Sequence, residues 1–315
     1  MVKDKYCEAT IANGLSEWEG NIFDSLESTG LAAEIISFNF DQYWFQNQRR
    51  GDEELIALCK IKKISFIILV VYREPGSHFS VIRYDTLEKI KNELNIQVIA
   101  IWGDIQQPYQ ISLANSLLPY VSFNVCTASS ATVAQLQPNN KYFYYWVPKD
   151  PRIFNDPRKK RDILISYVGS PKPERLEAVK KLKNSGINVY SIGGERHDHL
   201  NISDYAEILK RSKITLGFSR SSGYHVINAR VFEATLCGAL LLEEEGVETP
   251  QMFTPFEDYV PYTSLEDLVD KAKYYLANEN SRNLIAASGS GKCHVRYSAQ
   301  SFWKSVIDRV LSNQK

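Results

Sequence analysis

The chain has 315 residues, more than the ~100–200 typical of one domain, so two compact units are expected, each able to bury a core. Lysine plus arginine and aspartate plus glutamate each number 37, which leaves no net field to hold a nucleic-acid backbone or an anionic bilayer. Any charged ligand must be met by local charge.

The cysteines Cys7, Cys59, Cys126, Cys237 and Cys293 are odd in number and widely spaced, without a C-x-x-C pair, which favours a reducing compartment over a disulfide framework. The N-terminal MVKDKYCEAT has no apolar segment of signal-peptide length, and the longest apolar run, 66–72, is far shorter than the ~20 residues of a membrane span. A soluble, cytoplasmic protein is expected.

Short runs rich in branched residues alternate with segments of helical period, the pattern of parallel strands connected by helices. In the first half the strands fall at 8–13, 34–40, 65–72, 97–103 and 120–126. Between them WEGNIFDSLESTG and YDTLEKIKNELN have helical period and end at the helix stops Gly30 and Asn95. NKYFYYWVPKDPRIFNDPRKKRD holds three prolines and a basic run, placing an interdomain connection near 147–160. A second series follows, with strands at 163–169, 187–193, 213–219, 239–244 and 258–262 and helices near 173–185, 203–211, 229–237 and 265–277. Ser264 and Asp267 resemble a capping pair.

The expected fold class is α/β: two doubly wound, Rossmann-like domains, 1–152 and 153–298, facing a central cleft where such sheets bind ligands. A last helix within 299–315 would cross back to the first domain.

Within ARVFEATLCGALLLEEE (229–245), Asn228 is a plausible N-cap and Gly238 suits a left-handed C-terminal residue. Arg230 and Glu233 share one face of this helix. One reading is an exposed i,i+3 ion pair worth about 0.2–0.5 kcal/mol. The other uses the helix start: its unpaired N–H groups at Asn228 and Ala229 and the Arg230 guanidinium attract an anionic diphosphate, while Glu233, one turn deeper, accepts from the vicinal hydroxyls of a ribose.

The stretch 214–275, with its R-x-F-E-x-x-x-C-G pattern, apolar strand and later Y-Y-L helix, resembles the carboxyl-terminal domain of group 1 glycosyltransferases of the GT-B fold, most closely the branch named after a bacterial spore-maturation protein. The likeness extends over about 155–290. It implies a glycosyltransferase in which Glu233 binds the donor's ribose and the residues before it hold the diphosphate. The donor would be a nucleotide-diphosphate sugar, with UDP first among the nucleotides, and no further cofactor. One departure matters: many retaining relatives carry a second glutamate eight positions upstream, where this chain has His225, so stereochemistry does not carry over.

Gly169, Ser170 and Lys172 follow the strand ending YVG and are suited to cradle phosphate, although an ordinary strand-to-helix turn has the same composition. Gly193 allows close approach of a base. Ser219, Arg220 and Tyr224 lead from the next strand toward the helix, and Arg220 would join Arg230 on the leaving diphosphate. His197-Asp198-His199 in a polar loop reads as solvated, and no metal ligand set is expected. ASGSGKC (287–293) imitates a P-loop but lacks its first glycine, its Ser/Thr and a preceding strand, which excludes it.

On the acceptor side the resemblance puts Asp104 where relatives meet the transferred sugar or the acceptor. His78 and Glu17 reach the same predicted rim, and Trp102 is either core or a sugar-stacking ring. These three titratable residues are the candidates for catalytic proton transfer. The expected partners are the nucleotide sugar and an acceptor that is a glycan, a protein or a small molecule. A catalytically silent sugar-nucleotide binder and a GT-B epimerase are the alternatives.

Overall fold

The computed structural model describes residues 19–71, 73–103, 105–127, 129–192, 200–221 and 223–312. The chain divides into two units, Met1–Val147 with Phe302–Lys315, and Pro148–Ser301.

In the first unit β1 (Phe66–Val71), β2 (Gln97–Trp102), β3 (Phe123–Cys126) and β4 (Tyr142–Tyr144) form one parallel sheet in chain order. Val98 to Ile101 are fully buried, the continuous apolar run of a strand covered on both faces. Helices α1 (Phe40–Asn47), α2 (Asp52–Lys62), α3 (Tyr84–Asn92) and α4 (Pro108–Leu117) complete this layer. Acidic residues open α2 and lysines close it, in accord with the helix dipole.

The strand expected at 34–40 does not form. Asn39 accepts the Gln42 amide at 3.0 Å and so caps α1, a local hydrogen bond that competes with sheet pairing. Strand β4 lies in the aromatic run read as part of the connection, and the strand expected at 8–13 falls outside the described residues.

The second unit holds β5 (Ile163–Val168), β6 (Val189–Ile192), β7 (Ser212–Gly217), β10 (Leu240–Glu244) and β11 (Val260–Tyr262), parallel in the order β6-β5-β7-β10-β11. A two-residue hairpin, β8 (Arg220–Ser221) and β9 (Tyr224–His225), projects after β7. Helices α5 (Pro173–Asn184), α6 (Ile202–Arg211), α7 (Ala229–Leu236) and α8 (Leu265–Ala277) alternate with the strands, as the periodicity predicts. The order reverses between β5 and β7. That switch point, at the carboxyl ends of the strands, is where doubly wound sheets take ligands.

Leu240 and Leu242 on β10, Ile214 and Leu216 on β7 and Ile165 on β5 pack one face of the sheet against Ala178, Leu182, Leu268 and Ala272 of α5 and α8. Gly238 ends α7 with φ +69°, and the Arg161 guanidinium donates to the Cys237 carbonyl there at 2.8 Å. Ser264 accepts the Asp267 amide at 3.1 Å, and Asp267 accepts from Thr263 at 2.9 Å, one residue earlier than in a regular capping box.

Helix α9 (Glu279–Arg296) was not legible, because Gly289 and Gly291 each cost about 1 kcal/mol of helix propensity. Packing overrides this: Gly289 lies against the Asp258 carbonyl, where an added Cβ would stand 2.2 Å away. ASGSGKC is therefore helical and forms no phosphate loop.

The last helix, α10 (Ala299–Ser312), buries Phe302, Trp303, Val306 and Val310. The Trp303 indole donates to Ser25 Oγ at 2.9 Å, the Gln97 amide donates to the Val310 carbonyl at 2.8 Å, and the Phe302 ring meets Tyr145 and Trp146 edge-on, each at 5.8 Å. Cys59, Cys126, Cys237 and Cys293 are buried free thiols. Among the described residues no helix is long and apolar enough to cross a membrane.

Candidate functional site at the carboxyl end of the second sheet

Asn228 stands at the N-cap of α7 with extended backbone, but its side chain does not cap the helix. Its amide donates instead to the Phe218 carbonyl at the end of β7. The first-turn N–H groups of α7 thus lack a side-chain acceptor.

One residue into the helix, Arg230 reaches across the switch point. Its Nη2 donates to the Val168 carbonyl at the end of β5, and its guanidinium lies 5.4 Å from the Tyr167 ring centre. This approach requires a residue without a side chain at 169, since a Cβ on Gly169 would stand 2.5 Å from Arg230 Nη2. Burial works against the guanidinium charge, and Tyr205, Glu233 and Tyr167 outweigh it.

Arg230 does not pair with Glu233, so neither an exposed i,i+3 ion pair nor an open carboxylate describes this helix. Glu233 is only 5 % exposed. Its Oε1 accepts from Lys149 Nζ at 2.5 Å and its Oε2 from the Tyr205 hydroxyl at 2.6 Å. Lys149 is itself buried and lies 5.5 Å from the Phe154 ring centre. Burial alone would raise the Glu233 pKa, but the Lys149 charge, aided by Tyr205 and Arg230, holds it below the usual carboxylate range. Burial and the Glu233 charge push the Tyr205 phenol far up.

The same end of the sheet collects buried polar atoms that make no hydrogen bond within the protein. Among the described residues of the second unit these are Arg175 Nε, His225 Nδ1, Arg230 Nε, both carboxyl oxygens of Glu243, and Thr249 Oγ1. Arg175 is in the first turn of α5 after β5, Glu243 near the end of β10, and Thr249 in the turn that follows it. Most buried polar groups find partners, so a cluster of orphans at a switch point marks a place prepared for a polar ligand.

Residues 173–308 match the family model described as glycosyl transferase-like. No curated protein sequence matches the chain. Among solved structures the chain resembles Anabaena HepE in complex with UDP-glucose, at TM-score 0.57 and 10% identity over 83% of this chain and 82% of that one. It also resembles sucrose-phosphate synthase from Thermosynechococcus elongatus, at TM-score 0.57 and 12% identity over 84% and 78%. A third is TarM from S. aureus in a complex containing UDP, at TM-score 0.53 and 13% identity over 70% and 52%.

The fold is GT-B, and residues 173–308 carry the likeness to the glycosyl transferase-like family.

In this GT-B chain the expected donor-side residues separate into two sets. Gly169, Asn228, Ala229, Arg230 and His225 stand at the carboxyl end of the second sheet, and Glu233 sits behind them in its buried pair. Ser219 is buried and donates to the Glu245 carbonyl at 3.1 Å. Ser170 is exposed, with its carbonyl accepting from the Tyr167 hydroxyl at 2.7 Å, and Lys172 is half-buried at the N-cap of α5. Arg220 is largely exposed and stands 3.8 Å from Glu244. Tyr224 is exposed on the hairpin, and Gly193 lies outside the described residues, as do His197, Asp198 and His199.

Of the acceptor-side residues, Glu17 and Asp104 lie outside the described residues. His78 Nδ1 accepts the Ser80 amide at 3.2 Å and stands 2.8 Å from Ser80 Oγ, which assigns the proton of the neutral ring to Nε2. Nε2 is then a donor, not a base. Trp102 is core, 2 % exposed, with its indole donating to Asn124 Oδ1 at 2.9 Å. Among the described residues no group of three His, Cys, Asp or Glu side chains is placed to hold a metal ion.

Lys149, Tyr205, Arg175, Glu243 and Thr249 were not singled out from the sequence. Only Lys149 carried a local signal, a lysine between two prolines in WVPKDPRIF.

Proposed function

We propose that this protein is a glycosyltransferase that moves a sugar from a nucleotide-diphosphate sugar, UDP-linked, to an acceptor hydroxyl, with the diphosphate seated at the start of α7. The observation that carries this reading is the cluster of unpartnered buried polar atoms around Arg230 at the β5–β7 switch point. The uncapped first turn of α7 adds backbone donors to it.

Breaking the sugar–phosphate bond leaves negative charge on the departing diphosphate. Arg230, the helix start and Lys172 stabilise it electrostatically, in place of a metal ion. Ser170 and Ser219 line the approach, and Gly193 admits the base. Glu233 has lone pairs beyond those taken by Lys149 and Tyr205, and these receive the ribose hydroxyls. The R-x-F-E-x-x-x-C-G pattern around Glu233 supports the spore-maturation branch of group 1 glycosyltransferases. Asp104 and Glu17 remain the candidates for handling the acceptor's proton, and the acceptor is a glycan, a protein or a small molecule.

A thermal-shift and hydrolysis screen across UDP-, ADP- and GDP-sugars tests the reading. A nucleotide sugar at a hundred times its dissociation constant stabilises the native state by about 2.7 kcal/mol. Arg230→Ala is expected to abolish that shift while circular dichroism remains native. No shift with any nucleotide sugar, or an equal shift in Arg230→Ala, would count decisively against it.

A further inference from the structure

Glu243 is the one member of the cluster whose charge is wrong for a diphosphate. It is fully buried, and neither carboxyl oxygen has a hydrogen-bond partner. Its strand neighbour is Gly217, and a Cβ there would stand 3.1 Å from Glu243 Cγ, so the side chain lies flat over the end of β7. The Thr249 hydroxyl beside it is buried and makes no well-formed hydrogen bond, acting on the carboxyl only as a weak donor.

Three groups act on Glu243. They are Arg230 of α7, Thr249 of the following turn and Glu244 next in the strand; Glu243 in turn acts on the phenols of Tyr259 and Tyr262. Burial outweighs Arg230 and Thr249 and pushes the Glu243 pKa up to about 8. At neutral pH the group is a carboxylic acid, and an acid has an O–H to donate. Arg230 Nε–H, Arg175 Nε–H and the Thr249 hydroxyl are donors as well, so the cluster presents donors to one end of the sheet. That is the complement of an anion, and a buried amide or methyl group at 243 would have been easier to fold around.

We propose that Glu243 acts as a neutral acid that donates, together with Thr249 and Arg230, to the diphosphate of the donor, so that loss of its proton releases the nucleotide sugar. This rests on the donor-site reading above. It makes Glu243 a binding residue that confines donor capture to neutral and mildly acidic conditions.

The test is isothermal titration of the full chain with UDP-glucose, ADP-glucose and GDP-mannose, whose diphosphates keep constant charge between pH 6.5 and 9. Wild-type affinity is expected to fall about tenfold from pH 6.5 to pH 9, following the neutral fraction of an acid with a pKa about 8. In Glu243→Gln, which cannot ionise, that fall should vanish. Thr249→Val should bind more weakly at every pH and keep the fall. A flat wild-type profile, or a fall that persists in Glu243→Gln, overturns the role of Glu243 while leaving the donor site standing. Absence of binding by all three nucleotide sugars at every pH takes down the donor-site reading and this one together.

Discussion

Asp52 in the first unit and Glu243 in the second are both buried carboxyl groups, and their surroundings are opposite. Asp52 Oδ1 accepts the Arg83 amide at 3.0 Å and the Thr86 hydroxyl at 2.7 Å, while Oδ2 accepts from Arg50 Nε at 2.9 Å. It caps the start of α3 from the first turn of α2, and Arg50 extends the tie to the carbonyls of His78 and Val81. Burial raises its pKa, and the Arg83 amide, Thr86 and Arg50 lower it further than that. Glu243 has none of these partners. A satisfied buried charge organises a fold, whereas an unpaired buried carboxyl costs stability.

The Lys149–Glu233 pair sharpens this contrast most. It lies at the proposed donor site, yet it is satisfied in the manner of Asp52. Lys149→Ala would strand a buried carboxylate and is expected to destabilise the protein by about 3–5 kcal/mol, read from urea denaturation. A loss under 1 kcal/mol would show that Glu233 is held in the folded state by other groups.

Glu243→Gln is expected to do the reverse as pH rises. The native acid has a raised pKa, so the stability it contributes is fully present below its unfolded value of 4.5 and is lost as pH rises toward about 8. The variant should therefore gain on the wild type by about 3 kcal/mol between pH 5 and pH 7, followed as the difference in denaturation midpoints. A constant difference across that range would mean that Glu243 is paired or solvated in solution.

The smallest expected effect lies in the first unit. Asp52→Asn should cost about 2 kcal/mol at pH 7, the order of a charge-assisted hydrogen bond. Because the Asp52 pKa is depressed, its contribution is present above the unfolded value near 3.8 and fades as pH falls through the lower folded value. Wild type and variant should converge in strong acid, and parallel acid-unfolding curves would equate Asp52 with an ordinary surface carboxylate.

The second unit was legible almost element by element. The strand beginning at Ile163, the helix from Ala229 and its stop at Gly238 each rest on local signals: branched runs, apolar periodicity, and a residue tolerant of left-handed backbone. Where local signals competed, reading failed. Asn39 capped a helix in a run that scores as strand, and α9 formed across two glycines because tertiary packing outweighed propensity.

The site divides along the same line. Sequence by itself determined the alternation of strands and helices, the neutral overall charge and the placing of Arg230 one residue into a helix at a strand's carboxyl end, because these follow from short-range periodicity and composition. Tertiary structure decided which groups meet there. Lys149 reaches Glu233 across 84 positions, Arg230 docks on the end of β5 across 62, and Glu243 is buried opposite Gly217 with neither carboxyl oxygen in a well-formed hydrogen bond. Burial and pairing of charge depend on what the folded chain brings within a few ångströms, and spacing along the sequence does not encode that distance.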